Sequence, residues 1–275
     1  MNSTSEAAGA FASYRTGMIA LAVYVVLLTK FGPMPETILV MLAIFLAALA
    51  SSVAGFAFSA ICGALLFHLI DDPVRVVEIM MICSVGGQAT MVWSLRRNID
   101  WHGLSNFLLG GAFGLPIGIW LLMHTYPKLY LHLIGALLVL YAGFMIFRRP
   151  VVLVRQRGLW DVLAGFAGGI TGGLAAFPGA PVTIWCGFKG WNKERQRGCY
   201  QPFILILQLA GLFIMAAGSF AGIQHRGFDW TGFLYLPAML LGTALGMTLF
   251  TWMNDRQFAQ SVNILLVVSG VSFLL

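Results

Sequence analysis

The stretch LWDVLAGFAGGITGGLAAFPGAPVTIWCGF, residues 159–188, decides the fold, because glycine and proline interrupt an apolar segment there. The interruptions are GGITGG at 168–173 and PGAP at 178–181. A second apolar segment, residues 36–70, carries the break SSVAGFA at 51–57. Glycine loosens the backbone, and proline removes a donor and clashes with the preceding turn. Each segment is too long for one straight membrane span and short for two full ones, which predicts a hairpin of two shortened helices.

The composition is that of a polytopic membrane protein. Of the 275 residues, 59% are hydrophobic and only 9% are charged, and the mean hydropathy is +0.87. A soluble domain of this length needs more charge to cover its surface. Irregular backbone within a bilayer is tolerated only against protein or a water-filled cavity. Paired interruptions in two halves of a membrane protein therefore indicate a transporter's substrate site.

Apolar windows beyond the two broken segments predict the remaining spans. A short run at 18–31 precedes GPMPE, which offers no small-x-small cleavage pattern, so we interpret it as a retained first helix. The other predicted spans are 74–95, 101–124, 129–147, 200–223, 230–252 and 257–275.

The basic residues lie in short loops between the apolar spans. The net charge of +6 and the pI near 9.4 therefore indicate the positive-inside distribution and not a nucleic-acid partner. Basic loops occur at 96–97, 148–157 and 189–197, whereas the loop 71–73 is acidic. This distribution predicts a cytoplasmic N-terminus and an external position for the acidic loop.

The second half of the chain repeats features of the first. The matched pairs are NIDW at 98–101 with GFDW at 227–230, Gly114 and Gly118 with Gly242 and Gly246, and Gln88 with Gln208. Small residues four apart let helices approach closely. The acidic loop of the first half corresponds to the basic loop 189–197 of the second, which predicts that the halves are inverted in the membrane.

The predicted fold is thus an all-α polytopic membrane protein built from two inverted repeats. Each repeat consists of a broken, re-entrant helical hairpin and three transmembrane helices. Residues 1–35 hold the N-terminal tail and one extra transmembrane helix, residues 36–150 the first repeat, and residues 151–275 the second repeat.

This arrangement resembles the sulfite exporter TauE/SafE family. The resemblance rests on the glycine-rich broken segment, on the Asp-Trp-initiated helix with its Gly-x-x-x-Gly spacing, and on the second copy of both. It implies a bacterial inner-membrane permease for sulfite and other small sulfur-containing or organic anions, including organosulfonates. The first break departs from the family in lacking consecutive glycines, and Ala175-Ala176-Phe177 stands where more glycine is typical.

An anion site at the breaks also follows from helix physics. A helix start presents unpaired amides and a partial positive charge, and proline favours the first turn. Residues 178–181 and Ser59 or Ala60 are therefore expected to start two half-helices that cradle a small oxyanion without a buried cation. The candidate substrate-binding residues are Gly55, Phe56, Ser59, Gln88, Thr171, Gly172, Pro178, Gly179, Thr183, Trp185 and Gln208.

Several features have competing interpretations. The prolines and glycines also fit helices kinked for packing, and the two glutamines fit inter-helix contacts as well as substrate contacts. Asp100 and Asp229 are expected to cap helices, and no carboxylate is expected deep in a span. An anion or water channel and a sulfur-relay protein using Cys62 or Cys186 remain alternatives. The cysteine spacing favours neither a disulfide framework nor a metal site, so no cofactor is expected; a homodimer is possible.

The predicted topology can be tested by labelling single cysteines in a cysteine-free background. Asp72→Cys is expected to react with an impermeant reagent added outside, and Arg155→Cys and Lys193→Cys only after the inner face is exposed. Leu275 is expected outside. Labelling of positions 72 and 193 from the same side would contradict the inverted repeat.

Overall fold

The structure is a computed structural model that describes residues 35–52, 58–96, 99–147, 158–191, 193–220 and 227–250, with positions 267 and 271. Most of these residues are helical, and none of them forms a β-strand. Their helices are α1 (Pro35–Ser51), α2 (Phe58–Leu66), α3 (Pro73–Leu95), α4 (Trp101–His124), α5 (Pro127–Phe147), α6 (Gly158–Ala175), α7 (Gly179–Phe188), α8 (Lys193–Phe220), a 3-10 turn (Trp230–Tyr235) and α9 (Leu236–Phe250).

Three described helices are long and apolar enough to cross a membrane: Pro73–Trp93, Trp101–His124 and Glu194–Ser219. Large apolar side chains on their outer faces, such as Phe113 and Phe213, are exposed. Such surfaces suit contact with lipid. The predicted spans at 18–31 and 257–275 lie outside the described residues, apart from positions 267 and 271.

Each broken segment forms two shortened helices, as predicted. In the first, α1 and α2 have 17 and 9 residues, and in the second, α6 and α7 have 18 and 10. All are below the roughly 20 residues that a span requires. The two helices of each segment pack against each other. Residues 53–57 between α1 and α2, including Gly55 and Phe56, lie outside the described residues.

The prediction that GGITGG interrupts the second segment is wrong. Helix α6 continues through Gly173 to Ala175, and the chain leaves the helix at Ala176, whose φ is 50°. The predicted helix start at PGAP is confirmed, because α7 begins at Gly179 with Pro178 as its N-cap. The glycines within residues 168–173 therefore do not break the helix. Because they lack side chains, they allow close packing against neighbouring elements.

Glycines bring α6 and α4 into backbone contact. A Cβ on Gly110, Gly114 or Gly118 would overlap the carbonyl oxygens of Val162, Phe166 and Ile170, respectively. The approach is mutual: a Cβ on Gly165 would overlap the carbonyl of Phe107. Helix α9 contacts α1 in the same way, and the overlaps there are Gly242 with the Phe45 carbonyl and Gly246 with the Leu49 carbonyl. Each hairpin is thus held by a helix from the other half of the chain.

Helices α3 and α8 cross at the centre and run antiparallel. A Cβ on Gly211 would lie 3.1 Å from the Met81 sulfur, and the Gln201 amide nitrogen is 3.5 Å from the Met91 sulfur. Met81 precedes Met91 along α3, whereas its partner Gly211 follows Gln201 along α8, so the two helices run in opposite directions. This pair forms much of the buried centre between the two hairpins.

Both predicted aspartate caps are confirmed. Asp100 accepts a hydrogen bond from the Gly103 amide at 3.0 Å, and Asp229 accepts one from the Thr231 amide at 2.9 Å. The helix after Asp229 begins as a 3-10 turn and becomes α-helical only at Leu236. Pro237 accounts for this change, because it lacks the N–H that an α-helix continuing from Trp230 would need there.

Gly114→Ala is expected to lower the thermal unfolding temperature of the purified protein. The added methyl group must separate α4 from α6, and overpacking of this kind costs about 1–3 kcal/mol. Gly143→Ala is the matched control, because a Cβ at that helical position meets no atom of the described residues within 4 Å. Equal effects of both substitutions would show that the glycine contact does not hold the hairpin.

Candidate functional site

The second break is tied to α8 by a buried glutamine. The Gln208 amide nitrogen donates to the Ala176 carbonyl at 3.0 Å, and the Phe177 amide donates to the Thr171 carbonyl at 3.2 Å. Gln208 is only 1% exposed. Because its NH₂ group must face Ala176, its carbonyl oxygen faces elsewhere, and that oxygen has no partner among the described residues. The glutamine therefore brings an unpaired acceptor to the break.

The threonine hydroxyls at the break donate to main-chain carbonyls. Thr171 Oγ1 lies 3.0 Å from the Phe177 carbonyl oxygen and close to two carbonyls of its own helix. Thr183 Oγ1 donates to the Gly179 carbonyl at 2.7 Å. A hydroxyl has one proton, so both retain only acceptor capacity for a ligand. Neither hydroxyl can therefore donate to an anion while these bonds are made.

The start of α7 supplies donors. The amides of Gly179 and Ala180 have no acceptor within their helix, as for any first helical turn, and Pro181 has no N–H. Both residues are buried. Gly172 lies directly beside this turn, since a Cβ there would be 2.9 Å from Pro178 Cβ. The close approach brings the end of α6 and the start of α7 together.

Ser59 from the first hairpin meets the second break at a small cavity. Ser59 is 4% exposed, and its hydroxyl makes no hydrogen bond with any described residue. The cavity has a volume of about 10 Å³, which is room for about one water. Its lining comes from α2, α5 and the second break: Ser59, Ala60, Gly63, Phe67, Ile134, Leu137, Ala175 and Phe177.

Trp185 lies away from this cavity. Its indole nitrogen donates to Asp161 at 2.6 Å, and its ring lines an apolar groove of about 740 Å³ between α5, α6 and α7. Thr171 and Pro181 border the same groove. Gln88 is buried on α3, the helix that packs against α8.

A buried ion pair, which sequence reasoning missed, closes the far end of the second hairpin. Lys189 Nζ lies 2.7 Å from the Asp161 carboxylate, and the two side chains are only 5% and 8% exposed. Glu78 is also buried, at 1% exposure, with its carboxylate 3.4 Å from the Asp229 amide. Asp161 lies in the first turn of α6 and Glu78 in the second turn of α3, near the helix starts as predicted, but both carboxylates are buried. The sequence does contain an indication of the Asp161–Lys189 pair. Asp161 lies near the start of the hairpin segment and Lys189 directly after its end, so a hairpin brings the two side chains together.

Two further ion pairs join the helix caps to the other half of the chain. Arg75 Nε lies 2.8 Å from Asp229, and an Arg195 guanidinium nitrogen lies 3.2 Å from Asp100. The Gly103 amide and Arg195 hold the pKa of Asp100 below its usual value. Burial raises the pKa of Asp229, but hydrogen bonds from Thr231 and the charge of Arg75 outweigh it and leave that pKa lowered.

Comparison with known protein families decides the class of protein. The model of the sulfite exporter TauE/SafE family matches residues 40–273. The chain belongs to the TauE/SafE family. No curated protein and no solved structure matched. Membership makes this a multi-pass membrane protein of a transporter family, which agrees with its apolar helices.

The backbone at Ala176 is strained. Its φ is 50°, which lies in the left-handed region. A left-handed backbone costs a residue with a Cβ about 1–2 kcal/mol, whereas glycine adopts it freely. The hydrogen bond from Gln208 to the Ala176 carbonyl helps to hold this conformation.

Neither thiol of the sulfur-relay alternative lines the cavity between Ser59 and the second break. Cys62 and Cys186 are buried, as are Cys83 and Cys199. Among the residues that the structure describes, no group of three or more histidine, cysteine, aspartate or glutamate side chains is arranged to hold a metal ion.

Proposed function

We propose that this protein is a permease that exports a small anion, sulfite or an organosulfonate, across the bacterial inner membrane. The anion binds between the two broken hairpins. The observation that carries the proposal is the meeting of Ser59, a buried hydroxyl without a partner among the described residues, with the break that precedes the free amides of α7. A helix start of this kind favours an anion without a buried cation.

The proposal includes two inverted repeats, residues 36–150 and 151–275, with residues 1–35 as an addition. Three sets of contacts support it. The first is the glycine contacts, in which corresponding glycines meet corresponding carbonyls: Gly114 with Phe166, Gly118 with Ile170, Gly242 with Phe45 and Gly246 with Leu49. The sequence distance from Phe45 to Phe166 equals that from Leu49 to Ile170.

The second set lies between α3 and α8. The repeat spacing that pairs Gln88 with Gln208 also pairs Met81 with Gln201 and Met91 with Gly211. The contacts of Met81 with Gly211 and of Met91 with Gln201 are therefore images of each other. Because the two corresponding helices run antiparallel, the halves have opposite directions across the membrane, as inverted repeats require.

The third set is the two ion pairs at the helix caps. The same spacing relates Arg75 to Arg195, and the Asp-Trp match relates Asp229 to Asp100. Each arginine pairs with the cap of the opposite half. An inverted arrangement puts these pairs at opposite membrane faces, which supports a cytoplasmic position for Arg195 and an external one for Arg75.

Within this arrangement we assign Ser59, Thr171, Gly172, Pro178, Gly179, Thr183 and Gln208 to the site. Gln88 is their counterpart in the first half. A carrier is favoured over a channel, because among the described residues the space between Ser59 and the second break is a cavity of only about 10 Å³. An anion of the size of sulfite therefore requires the hairpins to separate during transport.

Gly179→Leu is expected to abolish transport in proteoliposomes, because the side chain fills the approach to the α7 amides. Pro181→Ala is expected to act more mildly, because it loosens the helix start without blocking it. Sulfite is expected to raise the unfolding temperature of the wild type according to its concentration over Kd, and Gly179→Leu is expected to lose that shift. Retention of both transport and the shift would exclude a site at α7.

A further inference from the structure

The space between the hairpins is uncharged. No charged side chain is among the residues that line the cavity. In the second hairpin, Asp161 and Lys189 neutralise each other at the far end of α6 and α7. An isolated charge in a low-dielectric site costs tens of kcal/mol, and because this cost grows with the square of the charge it is about fourfold larger for a dianion. The lining therefore disfavours a doubly charged anion.

Donors and an acceptor lie around the second break. The donors are the Ser59 hydroxyl, which lines the cavity, and the amides of Gly179 and Ala180, which follow the cavity-lining Phe177 along the chain. The Gln208 carbonyl oxygen is a buried acceptor without a partner among the described residues, because the NH₂ group is engaged by Ala176. A fully deprotonated oxyanion consists only of acceptors and cannot pair with that oxygen. An anion that keeps one hydroxyl proton pairs with donors and acceptor together.

We propose that the site selects a singly charged oxyanion that carries one hydroxyl proton. This inference rests on the proposed function and narrows its substrate. For sulfite, which near neutral pH is divided between the singly and doubly charged forms, the bound species is the hydrogen sulfite anion. Dianions and monoanions without a hydroxyl bind more weakly, the first because of charge and the second because the Gln208 oxygen stays unpaired.

Two anions of the same shape separate these effects. Methanesulfonate is a monoanion at every working pH and has no hydroxyl. Methylphosphonate is a hydroxyl-bearing monoanion below its second dissociation and a dianion above it. Thermal shifts of the purified full-length chain give a Kd for each anion over a range of pH.

Below its second dissociation, methylphosphonate is expected to bind about tenfold more tightly than methanesulfonate, the difference expected for pairing one buried polar group. Above that dissociation, its affinity is expected to fall about tenfold per pH unit, as the monoanion fraction does, while that of methanesulfonate stays constant. Equal affinities at low pH, or dianion binding as tight as that of the monoanion, would overturn the inference and leave an anion site at the breaks. Failure of both anions to bind at any pH would overturn the proposed function as well.

Gln208→Leu provides the residue-level test. It is expected to reduce the preference for methylphosphonate monoanion over methanesulfonate, because the buried carbonyl oxygen that lacks a partner among the described residues is gone. Gln201→Leu is the matched control: Gln201 is buried on the same helix, its carbonyl oxygen also lacks a described partner, and its amide faces Met91 rather than the break. This control is expected to keep the affinity ratio. A ratio unchanged by Gln208→Leu, or lost equally in both variants, would contradict the role of Gln208.

Discussion

The structure depends on backbone contact between helices from opposite halves of the chain. In lipid there is little hydrophobic drive to bring helices together, so close packing by small residues carries much of the association. Gly110, Gly114 and Gly118 allow α4 to lie directly on α6, and Gly242 and Gly246 allow α9 to lie on α1. Each broken hairpin is consequently fixed by the opposite half, and this fixes where the breaks meet.

Because the hairpins are fixed in place, the irregular backbone at the second break can be buried next to groups that pair with it. Main-chain groups at the second break need partners within the protein, and Gln208, Thr171 and Thr183 provide them for carbonyl groups. The amides of the α7 start and the hydroxyl of Ser59 are left as donors. The charged pairs of Asp100 and Asp229 lie at helix starts, away from the breaks. The interior thus separates a neutral, hydrogen-bonding centre from charged contacts at the helix ends.

Much of this organisation was predictable from sequence because it follows from local rules. The composition predicted a membrane protein. Proline and glycine at 178–181 predicted the start of α7, and an aspartate directly before a tryptophan predicted both helix caps. The role of residues 168–173 was not predictable locally, since glycine serves either a flexible break or a close contact, and only the partner helix decides. Three other features could not be predicted locally, because they depend on tertiary neighbours. They are the Asp161–Lys189 pair, the orientation of Trp185 and the direction of the hydrogen bonds from the Thr171 and Thr183 hydroxyls. The site residues themselves remain a prediction that only ligand binding can test.

The most direct measurement is a crystal structure with selenite, a heavier analogue of sulfite, located by its anomalous scattering. The account predicts one strong selenium peak between the Ser59 hydroxyl and the amides of Gly179 and Ala180, with the hairpins separated far enough to admit it. A peak beside the Asp161–Lys189 pair with none at the breaks would contradict the account.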